Sequence, residues 1–503
     1  MTTIDSACGA TPFGFRTYGV SWPMLVGLVS LAAVLGIPRF SALLGDPDTY
    51  WHLAAGRWIL DHGVVPKSDP FSHSMPGTPW MAHEWLSEVL LASVHDILGW
   101  TGLVVLVALV FAGTLAYLAR FLLSRMEPIY ALLLTAFAAG MLMGHLLVRP
   151  HVLVWPFLAV WVGTLVNAGE YRRNPPWWAL LLMPLWANLH GSFILGIGLG
   201  AVLALDAVMS LPADKRRNSV LPWAAFVGLS ALAALVTPWG WNGLVFPFQV
   251  SSMELALKVI DEWRSADFQQ LQTLELWLLL VLALACSGRM RLPLIRLILV
   301  LGLAHLALKH QRHVSLLGLV SPFLIAASFA GAGRETKDTK RDAEFLDRMF
   351  AAFAVPARRG AIAVAGLLAA VMIGAVFQSR EFSPLAKSTP DAAVDAAIRA
   401  GATGSVLNSY NFGGYLIYRG IPVFIDGRAD MYGDGFLKRY IDAVGLADTN
   451  ALEMLLADYR IGWTLLDAGA PAVALLDRLP GWRRVHTDGV AVAHIKESVA
   501  VTQ

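Results

Sequence analysis

Carboxylates, imidazoles and guanidinium groups gather in this chain at a few short stretches, each bordered by long apolar runs. The first reads Gly45-Asp46-Pro47-Asp48-Thr49-Tyr50-Trp51-His52 and continues to Trp80-Met81-Ala82-His83-Glu84-Trp85. Arg149-Pro150-His151 follows, with His145 just before it. Asn188-Leu189-His190-Gly191, Asp261-Glu262-Trp263 and Lys309-His310-Gln311-Arg312-His313 come later. These are the residue types a site needs if a base is to take a proton while cations hold a phosphate. Each also has a plain structural reading. Asp46-Pro47-Asp48 can cap a loop helix starting near Tyr50. Glu84 can be a first-turn acid of another helix, and Arg149 can close a helix end beside its proline. A tryptophan at the end of an apolar run commonly anchors at a membrane interface, and a lone histidine there is commonly a satisfied structural residue. The cluster is stronger than its parts, because separate connections each carry charged or imidazole groups.

The elements that must position these residues are membrane helices. Of 503 residues, 56% are hydrophobic and only 15% charged, and mean hydropathy is +0.59. An ordinary globular domain is about 45–50% apolar and about 25% charged. The composition therefore excludes a water-soluble protein and intrinsic disorder. It predicts a polytopic α-helical membrane protein. A net charge of +2 gives no basic field for nucleic acid. Two cysteines, Cys8 and Cys286, cannot form a disulfide framework or a cysteine-based zinc or redox site. A spanning helix needs about 20 largely apolar residues. About eleven such runs are found, near 22–44, 98–119, 129–147, 151–168, 177–194, 192–212, 220–238, 273–287, 293–309, 314–332 and 360–377. The first lacks a basic leader and a cleavage motif and reads as a retained anchor. With the N-terminus cytoplasmic, every inner loop is basic: Arg120 and Arg125; Arg172 and Arg173; Lys215 to Arg217; Arg289 and Arg291; and a 333–359 loop with Lys337, Lys340, Arg341, Arg358 and Arg359. This is what the positive-inside rule demands of a multi-pass protein of the plasma (inner) membrane. All the polar stretches above then fall on the outer face.

Two long pieces also lie outside. One is the first outer loop, residues 45–97, within a membrane domain of residues 1–377. The other, residues 378–503, is large enough to fold alone and reads as an extracytoplasmic α/β domain. Gly404–Asn408, Pro422–Asp426, Trp463–Leu466, Trp482–His486 and Val490–Ile495 look like strands, and Asn450–Tyr459 looks helical. In this piece Asp426, Arg428 and Asp430 follow a buried-looking strand, either as a self-satisfied ion-paired turn or as an acceptor contact or lid. The Gly413-Gly414 pair could meet an anion at a helix start.

At these residues the sequence resembles the GT-C superfamily of membrane glycosyltransferases. Asp46-Pro47-Asp48 with Tyr50-Trp51-His52, followed by Gly56-Arg57-Trp58 and His62-Gly63, resembles the first-loop motif of the oligosaccharyltransferase catalytic subunit. His83-Glu84-Trp85-Leu86 stands where protein mannosyltransferases and aminoarabinose transferases carry a Pro-Pro-Leu-type motif, without its prolines. Ser409-Tyr410-Asn411-Phe412-Gly413-Gly414-Tyr415-Leu416 resembles the acceptor-recognition motif of oligosaccharyltransferases without its Trp-Trp-Asp core.

The resemblance implies an inverting transfer of a sugar or glycan from a polyprenyl-phosphate-linked donor to a glycan, lipid or protein acceptor at the outer face. It makes Asp46 or Asp48 the base by motif position, with Glu84 a further catalytic carboxylate. Arg149, His190, Arg312 and His313 become donor-phosphate contacts, arginine being suited to a bidentate grip. Tyr415, Asp426, Arg428 and Asp430 become acceptor or lid residues. Asp48, Asp261 and Glu262 are the candidates for a metal, and oxygen ligands would suit Mg²⁺ or Mn²⁺, although many relatives work without one. Two other classes stay open. An O-antigen ligase or polymerase would rely on Arg and His rather than carboxylates. A transporter would show broken spans in symmetric halves and buried mid-span charges, whereas the charges here gather at span ends and no repeat is visible; a non-catalytic scaffold is the bland alternative.

Overall fold

Prolines set where several of the helices begin. The computed structural model describes residues 19–36, 42–259, 261–288, 290–329, 350–379, 381–448 and 450–497. Its first helices are α1 (Trp22–Gly36), α2 (Asp48–His62), α3 (Trp85–Leu123) and α4 (Pro128–Met143). They are followed by α5 (Pro150–Leu153), α6 (Trp155–Glu170), α7 (Leu182–Leu189), α8 (Phe193–Met209), α9 (Ala213–Ala233) and α10 (Trp241–Ser251). Next come α11 (Glu254–Val259), α12 (Thr273–Cys286), α13 (Leu294–Lys309), α14 (Val314–Ile325) and α15 (Arg359–Ser379). Proline occupies the first turn of α4, α5 and α6, where its missing N–H costs nothing and its φ is already helical.

Where the structure describes them, the eleven apolar runs lie mostly on helices. By length and composition, four helices among the described residues are long and apolar enough to cross a membrane: Trp85–Leu123, Pro150–Glu170, Gln311–Phe329 and Arg359–Ser379. Trp22–Gly36, Pro128–Met143, Trp177–Leu189, Phe193–Met209 and Thr273–Cys286 are apolar but shorter. Helix α3 bends at Gly99, whose φ of 63° is left-handed, so the apolar run expected from residue 98 is its second half. The basic residues Arg289, Lys337, Lys340 and Arg341 lie outside the described residues.

The bundle also contains charge that the apolar pattern concealed. Arg296 of α13 donates from Nε to Asp206 of α8 at 2.8 Å and from Nη1 to Glu170 of α6 at 2.8 Å. Arg125 donates from Nε to the other Glu170 oxygen at 2.9 Å. Asp206 and Arg296 are buried, so the pairing ties four segments together near their ends.

Residues 391–497 form α16 (Asp391–Arg399), β1 (Ser405–Asn408), α17 (Gly413–Tyr418), α18 (Ala429–Val444), α19 (Ala451–Asp458), β2 (Ile461–Asp467), α20 (Pro471–Leu476), β3 (Trp482–Thr487) and β4 (Ala491–Lys496). The sheet order is β1-β2-β4-β3, with β1 parallel to β2 and the other pairs antiparallel. The alternation read as strands at 463–466, 482–486 and 490–495 is therefore a sheet. The run Pro422–Asp426 is not part of it. Its backbone is used elsewhere: Val423 N donates to Phe71 O at 3.1 Å, His73 N donates to Val423 O at 2.9 Å, and Phe424 N donates to the Asn408 side chain at 2.9 Å.

The loop of residues 45–97 and the C-terminal segment consequently share one core. Tyr50, Trp51, Ala55, Trp80 and Ala82 from the loop are buried together with Phe412, Tyr415, Phe424, Ile425 and Leu465. Fully burying one such side chain stabilises by about 1.5–3 kcal/mol, so the loop is held in place by the segment behind it.

Candidate active site

Asp46 and Asp48 flank Pro47 at the start of α2, and Asp46 Oδ1 accepts a hydrogen bond from Asp48 N at 2.8 Å. This bond holds the two carboxylates on one turn at the positive end of a helix. Thr49 Oγ1 donates to Val148 O at 3.0 Å, and Val148 N donates to Leu43 O at 3.0 Å. The strand-like segment before α5 is thereby stitched to the loop, which brings Arg149 against the aspartates.

Arg149 is the centre of the cluster. Its Nη2 donates to Asp48 Oδ2 at 2.8 Å, and its Nη1 lies 3.2 Å from Asp46 Oδ2 and donates to Glu262 Oε1. The Arg149 and Asp48 side chains are 20% and 18% exposed, so the pairing is partly withdrawn from water yet reachable. Glu262 arrives on a short turn (Asp261–Trp263) that is stitched to the start of α14: His310 Nδ1 lies 2.6 Å from Trp263 O, and Gln311 N donates to Arg264 O at 2.9 Å. On that side the Arg312 guanidinium stacks over the Trp263 ring, 4.4 Å from its centroid. Among the described residues Arg312 has no hydrogen-bond or ion-pair partner. His313 lies edge-on to Trp263, 6.2 Å away between ring centroids, with Nδ1 buried and without a hydrogen bond.

A second cluster lies beside the first. Glu84 is approached by three imidazoles: His190 Nε2 at 3.3 Å, His83 Nε2 at 3.6 Å and His52 Nε2 at 3.8 Å. His52 follows Asp48 by four residues on the same face of α2. It faces Glu88 through Nδ1 at 3.5 Å, and that nitrogen and Glu88 Oε2 are buried without a hydrogen bond. His52 and His83 stand in the polar stretches singled out in the sequence but received no role there, and Glu88 was not singled out. Their signal was the i, i+4 spacing of Asp48 with His52 and of Glu84 with Glu88.

Electrostatics separate these groups. Burial pushes the Asp48 carboxyl up to about 7; Arg149 opposes this, while the Asp46 and Glu262 charges add to it. Asp46 is raised for the same leading reason. Arg149 holds Glu262 well below the carboxylate range against its burial. Burial would also raise Glu84, but the neighbouring His83 and His190 hold it well below its ordinary value. Burial lowers His83, yet Glu84 more than reverses this and raises it to about 9. Burial lowers His190 to about 4 and His52 to about 3. One carboxyl near neutrality, close to Glu262 and Glu84 that are held ionised, is the pattern of a general base with its supports.

The structure thus brings Asp46, Asp48, Arg149, Glu262 and Arg312 together and sets Glu84 with His190 next to them. Arg149, expected as a phosphate contact, has its guanidinium engaged by three carboxylates. Asp426 and Arg428, expected at the acceptor, are instead buried completely: Arg428 pairs with Asp426 and with Asp69 of the loop, each at 2.7 Å, and lies over Trp80 at 4.7 Å. Tyr432 also donates to Asp426, at 2.8 Å. The 426–432 motif is an internal pillar between loop and C-terminal segment. Tyr415 points to the far side of α2, where its hydroxyl meets Asp391 and Arg419. Asp430 lines a cavity of about 330 Å³ with Phe246, Gln249 and Met253; burial raises its pKa.

The glycines near the motif serve close approach. A Cβ on Gly414 would overlap the Pro47 carbonyl, and one on Gly427 would lie 2.8 Å from Asp48 Cγ and 2.9 Å from Trp51 Nε1. The donors among the described residues do not fit a metal, because Arg149 already engages them. Asp48 and Glu262 both pair with Arg149, the Asp261 side chain lies outside the described residues, and no group of three or more His, Cys, Asp or Glu among the described residues is placed to hold an ion.

No protein-family model matches the sequence, and no curated protein is similar to it in sequence. Among solved structures, the chain is similar to the oligosaccharyltransferase of Archaeoglobus fulgidus in its apo form, with a TM-score of 0.54 and 10% identity over 89% of this chain and 69% of that one. The archaeal enzyme in complex with an inhibitory peptide and a dolichol-phosphate gives 0.51 and 11% over the same shares. ArnT from Cupriavidus metallidurans bound to undecaprenyl phosphate gives 0.49 and 13% over 94% of this chain and 97% of that one. At such identities the likeness to the archaeal oligosaccharyltransferase is one of fold alone.

Proposed function

We propose that this chain, built on the GT-C fold, is an inverting glycosyltransferase that moves a sugar or glycan from a polyprenyl-phosphate donor to an acceptor. The eleven apolar helices cross the plasma (inner) membrane with the N-terminus cytoplasmic, and the site and residues 378–503 lie on the outer face. The observation that carries the reading is the gathering of the Asp46-Pro47-Asp48 carboxylates in one cluster with the guanidinium of Arg312, which has no ion-pair partner among the described residues. In support, the similar archaeal oligosaccharyltransferase has been seen with a dolichol-phosphate.

In this mechanism Asp48 takes the proton of the acceptor's nucleophilic group as that group bonds to the anomeric carbon. The pair of the breaking carbon–oxygen bond passes to the phosphate oxygen, and the lipid phosphate departs. Arg312 meets the charge developing on that oxygen, and His313 and His190 assist it. Asp46 supports Asp48. Glu84 keeps His83 cationic, and Asp430, on the cavity lined by Phe246, Gln249 and Met253, serves the acceptor.

The test is transfer of radiolabelled sugar from a panel of polyprenyl-phosphate donors by the full-length protein in vesicles. Asp48→Asn and Arg312→Ala should each lower transfer by about 10²-fold or more with unchanged thermal unfolding. Wild-type transfer in both Asp46→Asn and Asp48→Asn would remove the base assignment. No transfer from any donor by the wild-type protein would remove the function.

A further inference from the structure

Resting on that reading, we infer that the Arg149 guanidinium is the resident cation of this site and occupies the position a divalent metal would need, so that transfer runs without metal. Three carboxylates from separate places in the chain turn inward on one point: Asp46 and Asp48 from the start of α2, and Glu262 from a turn more than two hundred residues away. Oxygen ligands gathered in this manner would suit Mg²⁺ or Mn²⁺. Here the point is filled by a planar fork of N–H donors that never loses its charge. Nη2 serves Asp48 at 2.8 Å, and Nη1 is shared between Asp46 at 3.2 Å and Glu262.

The backbone keeps the guanidinium there. Arg149 is extended, with φ −139° and ψ 156°, between Val148, which is bonded to Leu43 and to Thr49, and Pro150, which starts α5. Removing the guanidinium alone would leave three carboxylates facing one another at partial burial, an arrangement relieved by protonation or by a replacement cation. The inference also divides the labour between the two arginines. Arg149 organises the carboxylates and is a positioning residue. Arg312, which has no carboxylate partner among the described residues, remains for the leaving phosphate.

The experiment uses the full-length protein and Arg149→Ala, with Arg149→Lys as the second variant should the alanine form fail to fold. Mn²⁺ binding is read from the loss of the free-ion resonance signal, and transfer is measured with and without EDTA and with added guanidinium chloride. The wild type should bind no Mn²⁺ and keep full transfer in EDTA. Arg149→Ala should lose about 10²-fold in transfer. Guanidinium should restore at least a tenth of the loss, and equal sodium chloride should not. Arg149→Lys should retain more transfer than the alanine form. Stoichiometric Mn²⁺ binding by the wild type that disappears in Asp48→Asn, or transfer abolished by EDTA and restored by Mn²⁺, would overturn the inference. So would an alanine variant that turns over like the wild type. Mn²⁺ binding, and the thermal shift of Arg149→Ala by guanidinium, need no donor, so they decide the inference even if no glycosyl donor is ever turned over.

Discussion

Gly427→Ala probes whether the C-terminal segment positions the base. A Cβ at Gly427 would lie 2.8 Å from Asp48 Cγ and 2.9 Å from Trp51 Nε1, where ordinary contact begins at 3.4 Å. The Asp48 carboxylate carbon must therefore retreat by about 0.6 Å, and its nearer oxygen by more. Arg149 holds Asp48 from the other side at 2.8 Å, so the carboxylate cannot move without loosening that pair. Overpacking of this kind costs about 1–3 kcal/mol, less than a whole fold's stability of about 5–15 kcal/mol, so the variant should fold with a lowered midpoint. A misplacement near 1 Å at a reacting group can cost about 10²-fold. We therefore expect kcat to fall by about 10–100-fold with donor KM little changed. Gly469→Ala, where a Cβ meets nothing within 4 Å, is the control and should leave both untouched. Radiolabelled transfer in vesicles, paired with thermal unfolding, reads both effects. Wild-type kcat in a folded Gly427→Ala protein would refute the idea that this contact sets the base.

Three further outcomes follow from the same contacts. Asp48 must be unprotonated to accept a proton, and it titrates near 7 because of burial; kcat should fall about tenfold per unit as pH drops below about 7 and level off above it. Arg149→Lys weakens the group that lowers Asp48, so that limb should move to higher pH; a limb centred near 4 would contradict the burial argument. Arg428→Met should destabilise by about 3–5 kcal/mol, since it leaves Asp426 and Asp69 buried without their cation, and an unchanged unfolding midpoint would show that the pillar carries no weight. Arg296→Leu should cost a similar amount by stranding Asp206. Arg296→Leu combined with Asp206→Leu should recover most of it in detergent melts, and a double variant no better than the single one would show that the pair is not the cause.

The helices were legible because an apolar run bounded by charge or proline has few alternatives in a membrane. Runs such as 273–287 and 293–309 could be placed without knowing any neighbour. Pro422–Asp426 was misread as a strand of the C-terminal sheet because β-propensity reports a half-buried pleated segment and not its partner. Its partner, Phe71 to His73, lies some 350 residues earlier in the chain. The same distance concealed the shared core. Tyr50 and Trp51 read as loop aromatics, and only the packing of Phe412 and Tyr415 against them shows why a polar loop carries them.

The site was legible in residue type and not in pairing. The Asp46-Pro47-Asp48 step could be singled out because two acids on one turn are separated by a residue that starts a helix. Nothing local told Arg149 apart from Arg312. Both are cations next to apolar runs, yet one is claimed by three carboxylates and the other stacks on Trp263 with no carboxylate partner among the described residues. That difference arises from which turn is stitched to which. Thr49 bonds to Val148 and so draws Arg149 toward the aspartates, while His310 and Gln311 bond to the segment at Trp263 and Arg264 and so draw Arg312 to the ring. Asp426 and Arg428 illustrate the converse. Their charge density suggested chemistry, but complete burial with matched partners on both sides makes them a support. Gly427, the residue between them, is the one that touches the chemistry, because only a residue without a side chain lets that support close on Asp48.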